Sequence, residues 1–295
     1  MRKGIWYAVV AYTIWGFFPI YWKWLEAIPA LQVVAHRILW SCVVLVGLVL
    51  ASKDWAGFRA AIKSPRTIAI YTAAALVIAI NWYVYIWAVS AGFIIQTALG
   101  YFINPLVSVL MGVLILREHL RARQWLAISL AAAGVLYLTV YYGTLPWIAL
   151  TLAATFGTYG LLKKTAPLGP LHGLTLETAI LFLPALALLL FEDRMGRGAF
   201  LHAKPTLTLL MIGAGPVTTL PLLAFAAAAR RIPLSMMGML QYINPTIQFL
   251  LGVLLYKEPF SRGQLVGFGL VWAALFMFGV DTWSASRRDA PVVAV

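Results

Sequence analysis

Long apolar segments separated by short polar connections run along the whole chain. Ten such segments can be recognised, and each is close to the roughly 20 residues that an α-helix needs to cross the hydrocarbon core of a bilayer. They span residues 4–22, 31–51, 67–89, 94–116, 124–142, 145–162, 171–191, 206–229, 234–256 and 263–280. The pattern therefore predicts ten transmembrane helices.

These segments lack the alternation of apolar and polar residues that marks the strands of a membrane β-barrel. Helices also satisfy their backbone hydrogen bonds internally, which lipid cannot do for them. The composition agrees, since 63% of the residues are hydrophobic and only 11% are charged. Ten helices use about 200 residues, which leaves no room for a soluble catalytic domain. We expect an all-α polytopic membrane protein.

Basic residues are concentrated in alternate connections between the segments. The formal net charge is +13, and 15 of the 22 Lys and Arg residues fall on one side of the membrane, against 6 on the other. Cytoplasmic connections of membrane proteins are enriched in Lys and Arg, so the charge requires no nucleic-acid partner. We expect a multi-pass protein of the inner (plasma) membrane with both termini in the cytoplasm. Trp22, Lys23 and Trp24 follow the first segment where a signal peptide would have small residues, so a retained helix is expected.

The second half of the chain repeats the first. Residues 103–118 align without a gap with residues 243–258, and 8 of the 16 positions are identical, among them an Asn-Pro pair, a Gly and a Glu. A weaker match at an offset of 141 residues aligns Gly16 with Gly157. Two halves of five helices each would be inverted relative to one another, as in many secondary transporters. The predicted units are a first repeat at 1–142, a second repeat at 143–283 and a cytoplasmic tail at 284–295.

Several short motifs carry a resemblance to a known family. They are Trp15–Pro19, Ala35–Ser41, Asn81–Trp82, Tyr85–Val89, Leu99–Leu106 and Leu240–Thr246. On these motifs the chain resembles the EamA-type drug/metabolite transporters and, among them, the RarD branch. The resemblance implies ten helices in two inverted EamA repeats, and transport of small metabolites through a central cavity.

Polar and aromatic residues within the segments are the candidates to line such a cavity. Asn104 and Asn244 precede prolines, which remove a helix hydrogen bond and leave polar groups available at membrane depth. Trp82 and Tyr85 share a helix face, and aromatic rings can stack on an organic substrate or hold a cation. Packing between helices and interfacial anchoring are the structural alternatives for such residues. The candidate cavity residues are Trp15, Asn81, Trp82, Tyr85, Tyr101, Asn104, Gln241 and Asn244.

Two full charges, Arg37 and Glu177, lie well inside predicted helices. Ionisable residues are costly there and usually face the protein interior or a cavity, although Arg37 has the alternative of snorkelling to the interface. The two lie about 9 Å deep from opposite faces, so we expect no direct ion pair between them. His36 is the repeat equivalent of Glu177. We expect it to make a structural hydrogen bond, and a role in proton transfer is the alternative. If protons drive transport, Glu177 and His36 are the candidate carriers.

Two further acidic residues stand at helix ends. Glu118 and its repeat equivalent Glu258 lie beside Arg117 and Lys257. We expect them to form interfacial ion pairs or to anchor helix ends rather than to couple transport.

No motif for catalysis or for nucleotide binding is present in the sequence. It contains no His-Glu-x-x-His, no Gly-rich phosphate loop and no nucleophile elbow, and the single Cys42 excludes an intrachain disulfide. We expect a non-enzymatic protein without a cofactor or metal, whose partners are a small-molecule substrate and the lipid bilayer. A secondary transporter that works by alternating access is favoured. A passive facilitator or channel, and a non-transporting scaffold or sensor, are the alternatives.

Overall fold

The fold is built from helices alone wherever the chain is described. The computed structural model describes residues 1–52, 55, 58–59, 62–90, 94–143, 147–255, 257 and 261–288. The helices are α1 (Arg2–Trp24), α2 (Ala30–Ala51), α3 (Pro65–Ser90), α4 (Ile94–Leu114), α5 (Ala122–Tyr142), α6 (Trp147–Thr165), α7 (Pro170–Arg194), α8 (Pro205–Ala229), α9 (Leu234–Gln241 and Ile243–Leu250) and α10 (Arg262–Arg288). Each helix covers one of the apolar segments, and α10 extends into the predicted tail.

Most of these helices have the length and composition of membrane spans. Eight of them, α1, α2, α3, α5, α7, α8, α9 and α10, are long and apolar enough to cross a bilayer. Large apolar side chains also face outward, and Trp6, Leu183 and Phe276 are 68%, 71% and 73% exposed. Lipid rather than water is the compatible environment for such a surface. The chain is therefore a multi-pass membrane protein.

The break in α9 has a local cause in the sequence. Pro245 has no backbone N–H to offer to the carbonyl of Gln241, four residues earlier, so the helical hydrogen bonding is interrupted there. The first part of α9 ends at Gln241, the second begins at Ile243, and a π-helical turn follows at Leu251–Leu255. The equivalent Pro105 lies inside α4, which stays continuous.

Small residues set the distances between the helices. A β-carbon built on Gly16 of α1 would lie 2.7 Å from the Cβ atom of Ile247 in α9. One built on Gly157 of α6 would lie 2.8 Å from the Cγ1 atom of Val107 in α4. Helices in membranes associate through such close contacts, because the hydrophobic effect provides little force between them.

Helix pairs that pack against each other have counterparts whose helix numbers differ by five. Helix α1 packs against α8 and α9, and α6 packs against α3 and α4. Helices α2 and α7, α4 and α9, and α5 and α10 pack against each other. Where α4 and α9 cross, the Tyr242 hydroxyl donates a hydrogen bond of 3.2 Å to the carbonyl of Phe102. The core thus lies where the first five helices meet the last five.

The contact at Gly157 makes a testable prediction for stability. Gly157→Ala should lower the unfolding temperature of the purified protein in detergent, because its methyl group would overlap Val107, and overpacking costs about 1–3 kcal/mol. Adding Val107→Ala should restore part of the loss. Gly47 in α2 has no atom within 4 Å of its built β-carbon, so Gly47→Ala is the control without a loss. Equal unfolding temperatures for wild type and Gly157→Ala would contradict the close contact.

Candidate functional site

A cavity of about 180 Å³ lies between the two groups of five helices. Its walls come from α1, α3, α4, α6, α8 and α9, and α2 contributes a single side chain, that of Arg37. The structure brings all eight of the predicted cavity residues to its lining. These are Trp15, Asn81, Trp82, Tyr85, Tyr101, Asn104, Gln241 and Asn244.

Several lining residues were missed by the sequence reasoning. Phe18 and Trp22 follow Trp15 at three and seven residues, and Gln248 follows Asn244 at four. These spacings keep side chains on one face of a helix. Helical periodicity from the predicted residues was therefore the signal that would have found them.

Arg37 points into the cavity rather than along the lipid interface. Its Nε–H donates a hydrogen bond of 3.0 Å to Oγ1 of Thr218 in α8. The Cζ atom lies 4.6 Å from the ring centre of Trp22 and 4.7 Å from that of Trp82, within the range of cation–π contacts. The guanidinium is thus held between two indole rings. It makes no ion pair with Glu177 in the described structure.

The five amide side chains that line the cavity differ in their hydrogen bonding. Asn81 ties α3 to α6, since its Nδ2 donates to the carbonyl of Leu152 at 2.9 Å and to Oγ1 of Thr155 at 2.8 Å. Asn244 accepts a hydrogen bond of 2.9 Å at Oδ1 from Nε2 of Gln248 in the next turn.

By contrast, Oδ1 of Asn104 and Oε1 of Gln241 are buried and have no hydrogen-bond partner within the described residues. Buried polar atoms are nearly always paired in native proteins. The two amide oxygens are therefore unsatisfied acceptors on residues that line the cavity.

Aromatic rings close one end of the cavity. Trp15 and Phe156 line the cavity, and both contact Phe225, at 5.6 and 5.4 Å between ring centres. Tyr159 stacks on Phe225 at 5.9 Å, and Tyr12 meets its edge at 6.3 Å. We call these five residues the aromatic floor. The members beyond the lining lie about one helical turn closer to the end of the molecule where α1 begins and α6 and α8 end.

That end of the molecule holds Lys163, Lys164, Arg230 and Arg231, and we call it the basic end. Glu118 stabilises the helix packing there. The carboxylate accepts hydrogen bonds from the backbone N–H groups of Leu234 and Ser235 at 2.7 and 2.9 Å, and from the Ser235 hydroxyl at 2.6 Å. Lys164 lies 3.9 Å from Glu118 and donates to the carbonyl of Ile232 at 2.7 Å. Glu118 thus anchors the first turn of α9, where a negative charge is favoured. Glu258 lies outside the described residues.

Glu177 is buried in an ion pair that the sequence reasoning did not foresee. Its Oε1 lies 2.8 Å from Nζ of Lys163, and its Oε2 accepts a hydrogen bond of 3.0 Å from the Tyr159 hydroxyl. The predicted helix ended at residue 162 and left Lys163 in a connection. This placement was wrong, because α6 continues to Thr165 and Lys163 is only 4% exposed. The carboxylate of Glu177 is therefore balanced by a neighbouring charge, outside the main cavity.

His36 also lies away from the main cavity. Its ring packs on Phe200 with 4.9 Å between ring centres, and neither ring nitrogen has a hydrogen-bond partner in the described structure. The expected structural hydrogen bond is therefore absent there. Of the three candidate intramembrane polar residues, the structure brings only Arg37 to the cavity.

The buried pair makes a second prediction. Glu177→Gln should destabilise the protein by about 3–5 kcal/mol, because it leaves the Lys163 ammonium buried without its counter-charge. The double variant Lys163→Met with Glu177→Leu removes both charges and should regain most of the stability. Glu192 pairs with the exposed Arg197, so Glu192→Gln is the control, with a cost of about 0–1 kcal/mol. The free energy of unfolding in detergent is measured for all three variants. If Glu177→Gln were as stable as wild type, the buried ion pair would not contribute to stability.

Comparison with known proteins identifies the family. The sequence profile described as "EamA-like transporter family" matches residues 2–140 and 145–280. The chain is 47% identical over 281 residues to "Uncharacterized transporter YojE" of Bacillus subtilis (strain 168), with 94% of this chain and 93% of that protein covered. It is 40% identical over 290 residues to "Protein RarD" of Escherichia coli (strain K12), with 98% of both chains covered.

A solved structure described only as "Crystal structure of protein" has the same fold. It superposes with a TM-score of 0.69 at 16% sequence identity, and 94% of this chain and 97% of that chain are covered. The family resemblance carried by the sequence motifs is confirmed by the profile and by the relatives. The chain belongs to the EamA-like transporter family.

Proposed function

We propose that this chain is a secondary transporter that moves a small organic metabolite or drug across the inner membrane by alternating access. The observation that carries the proposal is the central cavity, which combines aromatic faces, amides and one cation. Asn104 and Asn244, at equivalent positions of the two halves, both line it. Secondary transporters built from repeats hold their substrate at such a place.

The two halves are proposed to be inverted repeats of five spans each, at 1–142 and 143–283. The glycine contacts support this arrangement. Gly16 meets Ile247, and Gly157 meets Val107. Gly157 is the repeat equivalent of Gly16, and Ile247 is the equivalent of Val107 in the aligned blocks. The same contact therefore occurs twice, with the two halves exchanged.

The basic end is proposed to face the cytoplasm, together with both termini, because Lys and Arg are enriched there. The cavity then opens toward the external side. Trp22 and Phe18, in the last two turns of α1, line it, whereas its lining includes no described residue of α1 before Trp15. The aromatic floor and Glu118 close the cytoplasmic side. Release of α9 from Glu118 would accompany the change to the opposite state.

Flux through reconstituted protein tests the proposal. Proteoliposomes are loaded with the low-molecular-weight fraction of a bacterial extract. Chloramphenicol is added, because a relative of 32% identity from Pseudomonas aeruginosa is named "Chloramphenicol-sensitive protein RarD". Mass spectrometry should find at least one compound lost faster than from protein-free liposomes. Asn104→Ala with Asn244→Ala should slow that loss at least about tenfold, because both amides would contact the moving substrate.

The control is Thr139→Ala, because the Thr139 hydroxyl donates to the Val135 carbonyl one turn earlier in α5 and lies outside the cavity lining. This variant should transport like wild type. Identical losses from liposomes with and without the protein would contradict transport. Normal flux through the Asn104 and Asn244 double variant would remove the cavity from the transport path.

Reporter fusions test the orientation. Fusions after Lys164 and after Arg231 should report the cytoplasm, and fusions at Gly143 and Arg197 should report the external side. The physical basis is the distribution of basic residues between alternate connections. A cytoplasmic signal from the fusion at Arg197 would contradict the ten-span topology.

A further inference from the structure

The guanidinium of Arg37 stands in the cavity without a protein counter-charge. The described lining contains no Asp or Glu. A charge in an apolar, membrane-embedded setting is costly unless it is paired. Thr218 supplies one neutral hydrogen bond, and the two indole rings supply only faces. The terminal N–H groups of the guanidinium have no partner in the described part of the chain.

The acidic residues of the described chain are all occupied or remote. Glu177 pairs with Lys163, and Glu118 holds the first turn of α9. Asp281 lies 3.5 Å from Arg121, and Glu192 pairs with Arg197. The remaining two are exposed in loops or at helix ends, Glu26 and Asp193. No acidic side chain of the described residues is thus available as a counter-charge for Arg37, whereas an anion that enters the cavity would supply one.

The unpartnered amide oxygens add a second requirement on that molecule. Oδ1 of Asn104 and Oε1 of Gln241 lack donors, and Gln241 aligns with Tyr101 in the repeat, which also lines the cavity. A ligand with an N–H or O–H group would satisfy them, since an unmet buried acceptor costs about 1–3 kcal/mol. The ring faces of Trp15 and Phe156 offer an apolar surface to its remaining part.

We propose that the cargo is a small organic carboxylate that also carries a hydrogen-bond donor. Its carboxylate binds the terminal N–H groups of Arg37, a geometry in which the planar guanidinium matches a carboxylate with two parallel hydrogen bonds. Its donor group binds Asn104 and Gln241. A volume of about 180 Å³ favours a compound of amino-acid size in this state. This inference rests on the proposed transport function and gives its substrate a chemical class.

Binding to purified protein in neutral detergent tests the inference without requiring flux. The probes are phenylacetate, 4-hydroxyphenylacetate, indole-3-acetate, L-phenylalanine and L-leucine, and each is compared with its primary amide. Inorganic phosphate is tested as a further anion. At least one carboxylate should raise the unfolding temperature of wild type, because a ligand stabilises the state that it binds. Its amide should raise it far less. Carboxylates that act no better than their amides, or phosphate alone acting, would overturn the inference.

Variants at position 37 test whether the carboxylate binds at Arg37. Arg37→Gln should weaken the apparent affinity for the active carboxylate at least about thirtyfold, as loss of a buried charged partner does. Arg37→Lys keeps the charge but loses the planar guanidinium, so its affinity should lie between those of wild type and Arg37→Gln. Arg194→Gln, at an exposed arginine, is the control with unchanged affinity. An unchanged affinity in Arg37→Gln would overturn the inference, and the comparison of acid with amide on wild type stands even if that variant fails to fold.

The inference and the transport proposal can fail separately. A carboxylate that binds through Arg37 but is not moved by proteoliposomes supports the binding site and contradicts transport of that ligand. Flux of a neutral or cationic compound, without binding of any carboxylate, supports transport and overturns the inference.

Discussion

Close contact between helices at two glycines is the constraint on which the cavity depends. Gly16 and Gly157 bring α1 onto α9 and α6 onto α4, so that four helices from the two halves surround one space. In lipid, such contacts replace the hydrophobic force that assembles soluble cores. Larger side chains at these two positions would separate the helices and remove the shared wall. The lining residues of α1, α4, α6 and α9 face one another across these two contacts.

The two ends of the cavity are held by different interactions. Toward the basic end, the aromatic floor fills the space and the carboxylate of Glu118 fixes the first turn of α9. Toward the other end, residues of α1 up to Trp22 remain part of the lining. Hydrogen bonds from backbone N–H groups to a carboxylate are strong but local. Breaking them therefore changes one end of the molecule and leaves the core packed. The asymmetry suits a protein that exposes one site to two sides in turn.

Hydrophobic patterning predicted the helices well because each apolar segment has the length of a membrane span. Amides and a charge inside such segments are expensive, which is why they could be recognised as candidates for the cavity. The partner of Glu177 could not be predicted, because the apolar run ends before Lys163 whereas the helix does not. Nor could the contact between Arg37 and Thr218, since residues 181 positions apart meet only through tertiary packing. Pairings of this kind depend on how each helix is rotated about its axis relative to its neighbours. The hydrophobic pattern of a single sequence does not determine that rotation.

Sided labelling of one cavity residue tests the central claim most directly. In a Cys42→Ser background, Gln248→Cys places a single thiol in the lining, and a membrane-impermeant maleimide is applied to intact cells and to inside-out vesicles. We predict labelling mainly from the external side, and a shift toward the cytoplasmic side when Glu118→Gln removes the charge that anchors α9. Labelling that is equally fast from both sides would indicate an open channel, and labelling from neither side would show that the cavity is not part of a pathway.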